Sequence, residues 1–367
     1  MAKTTLYPLR LKEKFRNYGF GDRWMVEVFE KEDLPDNHTL AETWEVVDRP
    51  GESNEILNGP LAGMTLHETI ETYGEALLGS DMMQRFGTRF PLIIKFLDAS
   101  NVLGEQIHPD DEHAKALGGF DTGKTEAWYM IETRPEATIH VGNRDGITQE
   151  RLIKALLKGN SVSCMEEYEV EPGDSFLIYA GVMHYARGGA LFCEIMENSD
   201  ITYGLEHYMD EAKSGCERER AEELAEQIHL EDDFDCQTSH VTIERGPNTQ
   251  TLIFACKHFA MERLDLTADH ILDLDGTRFY VLSQIEGASR VVCGDSVETL
   301  RAGNSCLLPA TLESVRLEPQ GDAALLKMYV PDLMANIVEP LRAQGVDDAE
   351  IVGLGGHTKR NDLRNLV

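Results

Sequence analysis

Hydrophobic residues recur along the chain in two different patterns. At residues 65–86 and 148–158 they recur every three or four positions, which predicts amphipathic helices, and Thr65 and Thr148 stand where a helix N-cap is expected. Elsewhere, short apolar runs end at turn residues, which is typical of short β-strands. These runs are residues 43–47, 90–97, 168–170, 175–179, 251–254, 277–282, 305–308 and 323–330. The pattern therefore predicts a mainly β protein with appended helices.

One strand–turn–strand pattern occurs twice. The segment GDSFLIYAGVMH at 173–184 aligns without a gap on GNSCLLPATLES at 303–314. A β-hairpin unit that is used twice favours two small antiparallel barrels of similar design. The first copy ends on His184 and the second on Ser314. We therefore expect one working barrel and one structural barrel, with Ser314 lining a metal-free interior.

The same patterns divide the chain into four parts, and its 367 residues suffice for two domains of ordinary size. Residues 1–208 are predicted to form a first barrel domain with helical insertions. Residues 209–235 are acidic and are expected to form an exposed connecting helix. Residues 236–332 are predicted to form the second barrel domain, and residues 333–367 a tail with helical and glycine-rich pieces.

Composition narrows the class of protein. Apolar residues make up 42% of the chain, as in globular proteins. The net charge of −31 argues against nonspecific binding to nucleic acid, which needs basic patches. The sequence has neither an apolar stretch of membrane-spanning length nor an export signal, and its seven cysteines form no CxxC pair. We expect a cytoplasmic protein with reduced thiols that binds neither membranes nor nucleic acid.

Four residues in strand-like contexts form a candidate metal site. Gln106 and His108 are two positions apart, so both can face the same side of a strand. Glu126 opens the apolar run EAWYMI, where a buried carboxylate would be costly without a metal. His184 ends a segment with the turn pattern of the second cupin motif. Two imidazoles, a carboxylate and an amide oxygen suit Zn²⁺.

Each of these residues also has an ordinary structural explanation. A lone histidine is more often a surface or hydrogen-bonded core residue than a ligand, and Glu126 alone could be a half-exposed strand residue. The hypothesis of a metal site depends on their occurring together. The neighbouring acidic run 110–112 and His113 are expected to be a solvated helix start after Pro109, where carboxylates are favourable.

The motifs resemble those of one known family, the type I mannose-6-phosphate isomerases in their short, bacterial- or archaeal-like form, which are zinc-dependent double-cupin enzymes. The resemblance rests on AETWEV (41–46), FPLIIKFLDA (90–99), QIHPDDE (106–112), GKTEAWY (123–129), YAGVMH (179–184) and EIMENSDITY (194–203). It implies a double cupin fold and the metal ligands Gln106, His108, Glu126 and His184. It also implies that Lys124 and Glu194 lie in the substrate cavity, with Lys95 a weaker candidate.

The resemblance further implies an aldose–ketose isomerase that interconverts mannose 6-phosphate and fructose 6-phosphate through a cis-enediol. Either Glu194 or Lys124 could be the catalytic base. The family usually continues its Asn-Ser-Asp-x-Thr-Tyr motif with an arginine implicated in catalysis, whereas this chain has Gly204. Arg187 is our candidate to supply the missing guanidinium, because two glycines follow it and could bend its strand. In a regular strand its odd spacing from His184 would instead place it on the opposite face, as a surface residue.

Other functions remain open at this stage. Gly204 favours an isomerase or epimerase that acts on a different sugar, or a catalytically weak protein that keeps the metal and binds a sugar phosphate. Lys95, Arg89 and Arg187 are candidates for holding a substrate phosphate. A non-haem iron oxygenase is a further alternative, but Gln106 as an extra ligand argues against it, since such iron sites keep positions open for oxygen.

Overall fold

The computed structural model describes residues 5–30, 39–210 and 216–367. Within these ranges the protein is mainly β, with short helices inserted between the strands. The described ranges contain no helix that is long and apolar enough to cross a membrane.

The first half of the chain contributes two antiparallel sheets that carry the candidate site. Its strands are β1 (Leu9–Arg10), β2 (Lys14–Arg16), β3 (Glu42–Val46), β4 (Asp48–Arg49), β5 (Glu52–Ser53), β6 (Leu92–Ala99), β7 (Leu103–Ile107), β8 (Glu126–Thr133), β9 (Thr138–Val141), β10 (Glu166–Glu169), β11 (Ser175–Ile178), β12 (His184–Arg187), β13 (Ala190–Glu197) and β14 (Tyr203–Gly204). One sheet has the order β11-β8-β13-β6-β3-β2 and the other the order β10-β9-β12-β7-β14.

The second half repeats this arrangement with two further sheets. Its strands are β15 (Val241–Arg245), β16 (Asn248–Ala255), β17 (Ala260–Leu266), β18 (His270–Asp273), β19 (Tyr280–Glu286), β20 (Ala288–Cys293), β21 (Ser296–Arg301), β22 (Ser305–Leu308), β23 (Ser314–Pro319) and β24 (Ala323–Tyr329). The larger sheet has the order β1-β22-β19-β24-β17-β16-β15, and the smaller one β18-β23-β20-β21. Strand β1, placed by the sequence prediction in the first domain, thus joins the sheet of the second half.

The helices are short. They are α1 (Trp24–Val28), α2 (Leu66–Tyr73), α3 (Glu75–Leu78), α4 (Ser80–Phe86), α5 (Asp111–Leu117), α6 (Gln149–Leu156), α7 (Leu205–Asp210), α8 (Glu217–Gln227), α9 (Glu339–Ala343) and α10 (Asp348–Gly353). Thr148 caps α6 through its side chain, and Asp110 caps α5, as expected for the acidic helix start after Pro109. The tail beyond residue 332 also packs on the second half through buried apolar residues such as Ile337 and Leu354.

The single helix predicted over residues 65–86 is wrong. Thr65 does begin a helix, with Glu68 completing a capping box. The chain then turns at Gly74 and Gly79, whose φ angles are +46° and +97°, so the segment forms α2, α3 and α4 instead. Only glycine adopts such φ angles without strain. The spacing of the apolar residues alone does not reveal these two breaks in the helix.

The acidic segment 209–235 also differs from the prediction of one exposed helix. Residues 211–215 lie outside the described residues. Helix α8 ends at Gln227, and residues 228–235 form no helix. One face of α8, with Ala221, Leu224 and Ala225, is buried, so this helix belongs to the core beside α6 rather than to an exposed connection.

The internal repeat is present, but its end differs from the expectation. Strands β11 and β22 fall at equivalent places in the two copies, as do the starts of β12 and β23. His184 is fully buried, whereas Ser314 is exposed and the next residue, Val315, points into the core. The prediction that Ser314 lines the second interior is therefore wrong. A one-residue change of register exchanges the two faces of a strand.

The two halves share one hydrophobic core. Its members come from β6, β8 and β13 of the first half and from β16, β17, β19 and β24 of the second. Phe90 and Phe279, one from each half, stack with their ring centroids 4.7 Å apart. Burial of this apolar surface stabilises the contact between the halves and holds loops of the second half against the candidate site.

Candidate metal centre and active-site cavity

Three buried side chains from the two facing sheets converge on one point. His184 begins β12, Glu126 begins β8, and His108 follows directly after β7. The Nε2 atom of His108 lies 3.1 Å from Glu126 Oε2, and Nε2 of His184 lies 3.3 Å from Glu126 Oε1. Their potential ligand atoms all lie within 4.8 Å of one another, which makes the group a possible metal site.

Both imidazoles are oriented by backbone carbonyl groups. The Nδ1–H of His108 donates to the Ile201 carbonyl, and that of His184 to the Val182 carbonyl, each at 3.0 Å. Because a carbonyl can only accept, the hydrogen is on Nδ1 and the Nε2 lone pair faces Glu126. Burial lowers the pKa of His184, and burial with the nearby Lys124 lowers the pKa of His108 to about 3. Both rings are therefore neutral and available as ligands.

Glu126 is a buried carboxylate without hydrogen bonds. Neither of its oxygens accepts one from any residue that the structure describes, and His184 Nε2 likewise has no partner there. Burial alone would raise the pKa of Glu126, but Lys124 and the two imidazoles hold that pKa well below its usual range. The group is thus charged, and a buried charge without hydrogen bonds needs a cation.

Lys124 supplies a positive charge at the same atoms. Its Nζ lies 3.1 Å from Glu126 Oε2 and 3.1 Å from His108 Nε2. Its backbone N–H donates to the Pro109 carbonyl at 3.1 Å, which fixes the start of β8. Lys124 is nearly fully buried, so its side chain is confined to the cavity that holds Glu126.

Gln106 lies next to this cluster. In the pairing of β7 with β12 it stands directly opposite His184, so the two side chains share a face of the sheet. Gln106 is half-buried, in contrast to the fully buried histidines. The sequence-predicted ligand residues are therefore neighbours on the inner face, with Gln106 at the more open side.

A second charged cluster lies deeper along the six-stranded sheet. Lys95 Nζ is 3.2 Å from Glu194 Oε1 and 3.5 Å from Glu42 Oε2. Burial would lower the pKa of Lys95, but the two carboxylates raise it above its usual value. Burial raises the pKa of Glu194, while Lys95 opposes that rise. The Trp44 indole N–H donates to Glu42 at 2.6 Å.

Trp128 connects the two clusters. Its indole N–H donates to Glu194 Oε2 at 2.9 Å, and its ring stands edge-on to the His184 imidazole with centroids 5.5 Å apart. Trp128 therefore forms a wall of the cavity and orients a carboxylate there. Its ring is also part of the hydrophobic core.

Two of the candidate cations lie elsewhere. Arg187 is half-exposed, pairs with Glu167 at 3.3 Å, and donates to the Thr138 hydroxyl. The strand does not bend at the following glycines in a way that turns Arg187 inward, so it is not part of this cavity, which corrects the prediction. Arg89 donates to the Asn198 carbonyl and stacks on Phe120, also outside the two clusters.

Gly204 faces the open side of the site. It stands opposite Gln106 in the pairing of β14 with β7. A Cβ atom at this position would meet only the Cβ of His207, at 3.8 Å, among the described residues. The backbone here is not in the left-handed region that requires glycine. The position has space for a larger side chain.

Sequence reasoning missed Glu42 as a member of the deeper cluster. Its place in the motif AETWEV, two residues before Trp44, puts both side chains on the same face of a strand. That spacing was the available signal. What the spacing did not reveal is the pairing of β3 with β6, which brings Glu42 to Lys95.

Comparison with known proteins shows the family of this chain. Residues 8–151 match the family model for the catalytic domain of type I phosphomannose isomerase. Mannose-6-phosphate isomerase ManA of Bacillus subtilis is 30% identical over 323 residues, which cover 86% of this chain and 96% of that protein. The chain belongs to the type I phosphomannose isomerase family. It is therefore an isomerase.

Solved structures of the family have the same fold. The mannose 6-phosphate isomerase from Bacillus subtilis superimposes with a TM-score of 0.74 at 25% sequence identity, covering 88% of this chain and 99% of that one. A second structure, described as a putative mannosephosphate isomerase from Archaeoglobus fulgidus, gives a TM-score of 0.70 at 20% identity, covering 88% and 97%. The phosphomannose isomerase architecture thus extends over both halves of the chain.

Proposed function

We propose that this protein is a zinc-dependent aldose–ketose isomerase that interconverts mannose 6-phosphate and fructose 6-phosphate. The observation that carries the proposal is the group of His108, Glu126 and His184. It presents two neutral imidazole nitrogens and a charged carboxylate to one buried point, where Lys124 Nζ, 3.1 Å from both Glu126 Oε2 and His108 Nε2, is the cation that a bound metal would displace.

The donor set fits zinc. Zn²⁺ accepts imidazole nitrogen and carboxylate oxygen, and the orientation of each ring by a carbonyl at Nδ1 is the usual outer-shell arrangement. Gln106, on the same face as His184, is the proposed fourth ligand. A bound metal would polarise the substrate carbonyl as a Lewis acid. Because a dication repels an ammonium, Lys124 would then turn from Glu126 toward the substrate.

Within this cavity Glu194 is the proposed base. Proton transfer between C1 and C2 needs a carboxylate whose pKa is raised toward the working pH, and burial raises that of Glu194. The Trp128 N–H and Lys95 hold its two oxygens in place. Lys124 is the proposed donor to the substrate oxygen that gains negative charge in the cis-enediol step.

The cavity also suits an anionic substrate despite the charge of the whole chain. Lys95 and Lys124 are both buried there, and together with a bound dication their charge would exceed that of the three buried carboxylates Glu42, Glu126 and Glu194 by one. A sugar phosphate is the proposed substrate class. The absence of an arginine at Gly204 favours, as the second candidate, an isomerase that prefers another sugar.

The two-sheet arrangement of each half supports a double cupin. We take residues 1–208 and 236–332 as its two domains, joined by 209–235, with 333–367 packed on the second. Leu9–Arg10 is the exception, because it pairs with β22. The repeated hairpins β11–β12 and β22–β23 support this interpretation.

One pair of measurements on the purified protein tests the proposal. Elemental analysis should find about one zinc per chain, and fructose 6-phosphate should form from mannose 6-phosphate. Zinc without turnover of any sugar phosphate would favour a metal-containing sensor. Iron as the resident metal, with turnover that depends on oxygen, would favour an oxygenase. Turnover that persists after complete removal of the metal would overturn the proposed mechanism.

A further inference from the structure

The side chain of Glu197 connects the metal-binding segment to the second half of the molecule. Its Oε1 accepts the backbone N–H of Thr125 at 2.9 Å, and its Oε2 lies 2.9 Å from Nδ1 of His258. The backbone N–H of Glu197 also donates to the Thr125 carbonyl at 3.1 Å. Glu197 therefore holds both polar groups of the Thr125 backbone.

Thr125 lies between the two residues whose side chains meet at the candidate metal centre. Lys124 and Glu126 point to the same side, with Lys124 Nζ 3.1 Å from Glu126 Oε2, while Thr125 between them faces away. Thr125 is 4% exposed, so water does not readily reach its N–H. The Thr125 N–H belongs to the peptide group shared with Lys124, and its C=O to the one shared with Glu126, so the orientation of these two groups sets the direction of both neighbouring side chains.

The other end of the contact comes from the second half. His258 lies in the turn between β16 and β17, which is closed by the Cys256 N–H donating to the Phe259 carbonyl. The Lys257 N–H donates to Asp362 of the tail at 2.9 Å. A turn that is fixed in this way presents the imidazole to Glu197 at a defined position.

A cavity of about 220 Å³ opens beside this contact, behind the metal centre. Thr125, Glu197 and His258 line it together with residues of the tail. The carboxylate is thus bordered by space on one side, so its orientation depends on its two partners rather than on close packing all round.

We propose that Glu197 is a positioning residue, clamped by His258, that fixes the Thr125 peptide so that Lys124 and Glu126 converge on the metal centre. The inference rests on the proposed function of that centre. It gives the second half of the molecule a role in the chemistry, because one turn of that half supports the segment that holds the metal.

Zinc affinity, measured by competition with a chelator, tests the proposal without relying on activity. Replacing a residue that supports a metal ligand usually lowers affinity or rate by about 10–100-fold. We expect that loss for Glu197→Ala in zinc affinity and in kcat, with a smaller change in KM. Glu197→Gln keeps an acceptor for the Thr125 N–H and a polar atom for His258, so it should stay within about threefold of the wild type.

The visible spectrum of the cobalt-substituted protein adds a readout of ligand geometry. It should change in Glu197→Ala and remain that of the wild type in Glu197→Gln. Glu262→Ala is the matched control, because Glu262 is also a buried carboxylate in an ion pair, with Lys327 at 2.8 Å in the second half. It should lower stability and leave zinc affinity and the cobalt spectrum unchanged.

The outcomes are distinct. Wild-type zinc binding and turnover, with both unchanged in Glu197→Ala, would overturn the positioning role and leave the proposed function intact. A wild-type protein that binds no zinc would overturn both. Should Glu197→Ala fail to fold, His258→Ala decides: it removes only the clamp, and an unchanged zinc affinity, kcat and cobalt spectrum would overturn the proposal.

Discussion

Lys95 and Glu194 face each other across neighbouring antiparallel strands, with Nζ 3.2 Å from Oε1. Both side chains are almost fully buried. A buried ion pair contributes little net stability, but removal of one partner leaves an uncompensated charge that costs about 3–5 kcal/mol. The pair is therefore better explained by chemistry than by stability, since it keeps a carboxylate and an ammonium buried on the sheet that also carries Glu126.

Glu194→Gln tests this interpretation. The amide keeps the size of the side chain and can still accept from the Trp128 N–H, but it cannot remove a proton. We expect a loss in kcat of about 10²–10⁴-fold, measured by steady-state kinetics, together with lower stability to urea because Lys95 loses a carboxylate partner.

Glu262→Gln is the control for the loss of stability. Glu262 forms a comparable buried pair with Lys327 in the second half, and Tyr329 donates to it at 2.7 Å. This variant should lose stability to a similar extent while keeping kcat per folded molecule. A Glu194→Gln enzyme with wild-type kcat would show that the base is another group.

His184→Ala should remove the metal and leave the fold intact. His184 is held by one hydrogen bond to a backbone carbonyl, whereas the surrounding strands are held by their own ladders and apolar core. The zinc content measured by elemental analysis should fall from about one per chain to a small fraction of that. The far-ultraviolet circular dichroism spectrum should stay unchanged.

His140→Ala is the matched control for this variant. His140 is also buried, but it lies on β9 against Tyr185, with ring centroids 5.1 Å apart, and faces away from the cluster. It should keep a full equivalent of zinc. Loss of zinc in both variants would mean that the metal content reports general damage to this sheet rather than ligation by His184.

Much of the site could be predicted because its residues lie in short local motifs. Strand spacing placed Gln106 and His108 on one face, and a carboxylate in an apolar run marked Glu126. These signals depend only on residues a few positions apart, so they can be read from a single sequence. The structure brings His108, Glu126 and His184 together, and their role as ligands stays a prediction.

Features that depend on tertiary register could not be predicted. Ser314 is exposed because the inward-facing positions of β23 are shifted by one residue relative to those of β12. A gapless alignment does not show this shift. The outward direction of Arg187 depends on how β12 pairs with β9. The contact of Glu197 with His258 joins residues 61 positions apart, which requires knowledge of how the two halves pack.

Gly79 shows the same dependence on packing, and it leads to a prediction on stability. Its φ of +97° is unfavourable for other residues, and a Cβ atom there would overlap the Thr277 carbonyl of the second half. Gly79→Ala should therefore lower the free energy of unfolding by about 3 kcal/mol or more, as backbone strain and overpacking add.

Gly87→Ala separates these two causes. Gly87 also has a positive φ, +62°, but a Cβ atom there would meet nothing within 4 Å among the described residues. We expect a cost of about 1–3 kcal/mol from backbone strain alone, because φ of +62° with ψ of −131° is rarely adopted by a residue with a Cβ atom. Urea unfolding of both variants measures the difference. Equal losses of unfolding free energy would show that α4 and the second half can move apart at little energetic cost to accommodate the methyl group.

Gly204 is where the chain departs from the usual family motif, and Gly204→Arg should raise the rate with mannose 6-phosphate. A guanidinium beside the reacting carbons would stabilise negative charge on the enediol oxygen. The position faces Gln106, and a Cβ atom there is accommodated 3.8 Å from that of His207. The variant should therefore fold, and its kcat/KM should rise by about 10-fold or more.

Gly204→Met is the control, since it adds a side chain of similar reach without charge. It should leave kcat/KM unchanged or lower it by obstructing the cavity. A wild-type enzyme that already turns over mannose 6-phosphate rapidly, with Gly204→Arg no faster than Gly204→Met, would contradict the argument. In that case Lys95 and Lys124 would suffice as the cations of the cavity, and the space at Gly204 would serve the shape of the substrate instead.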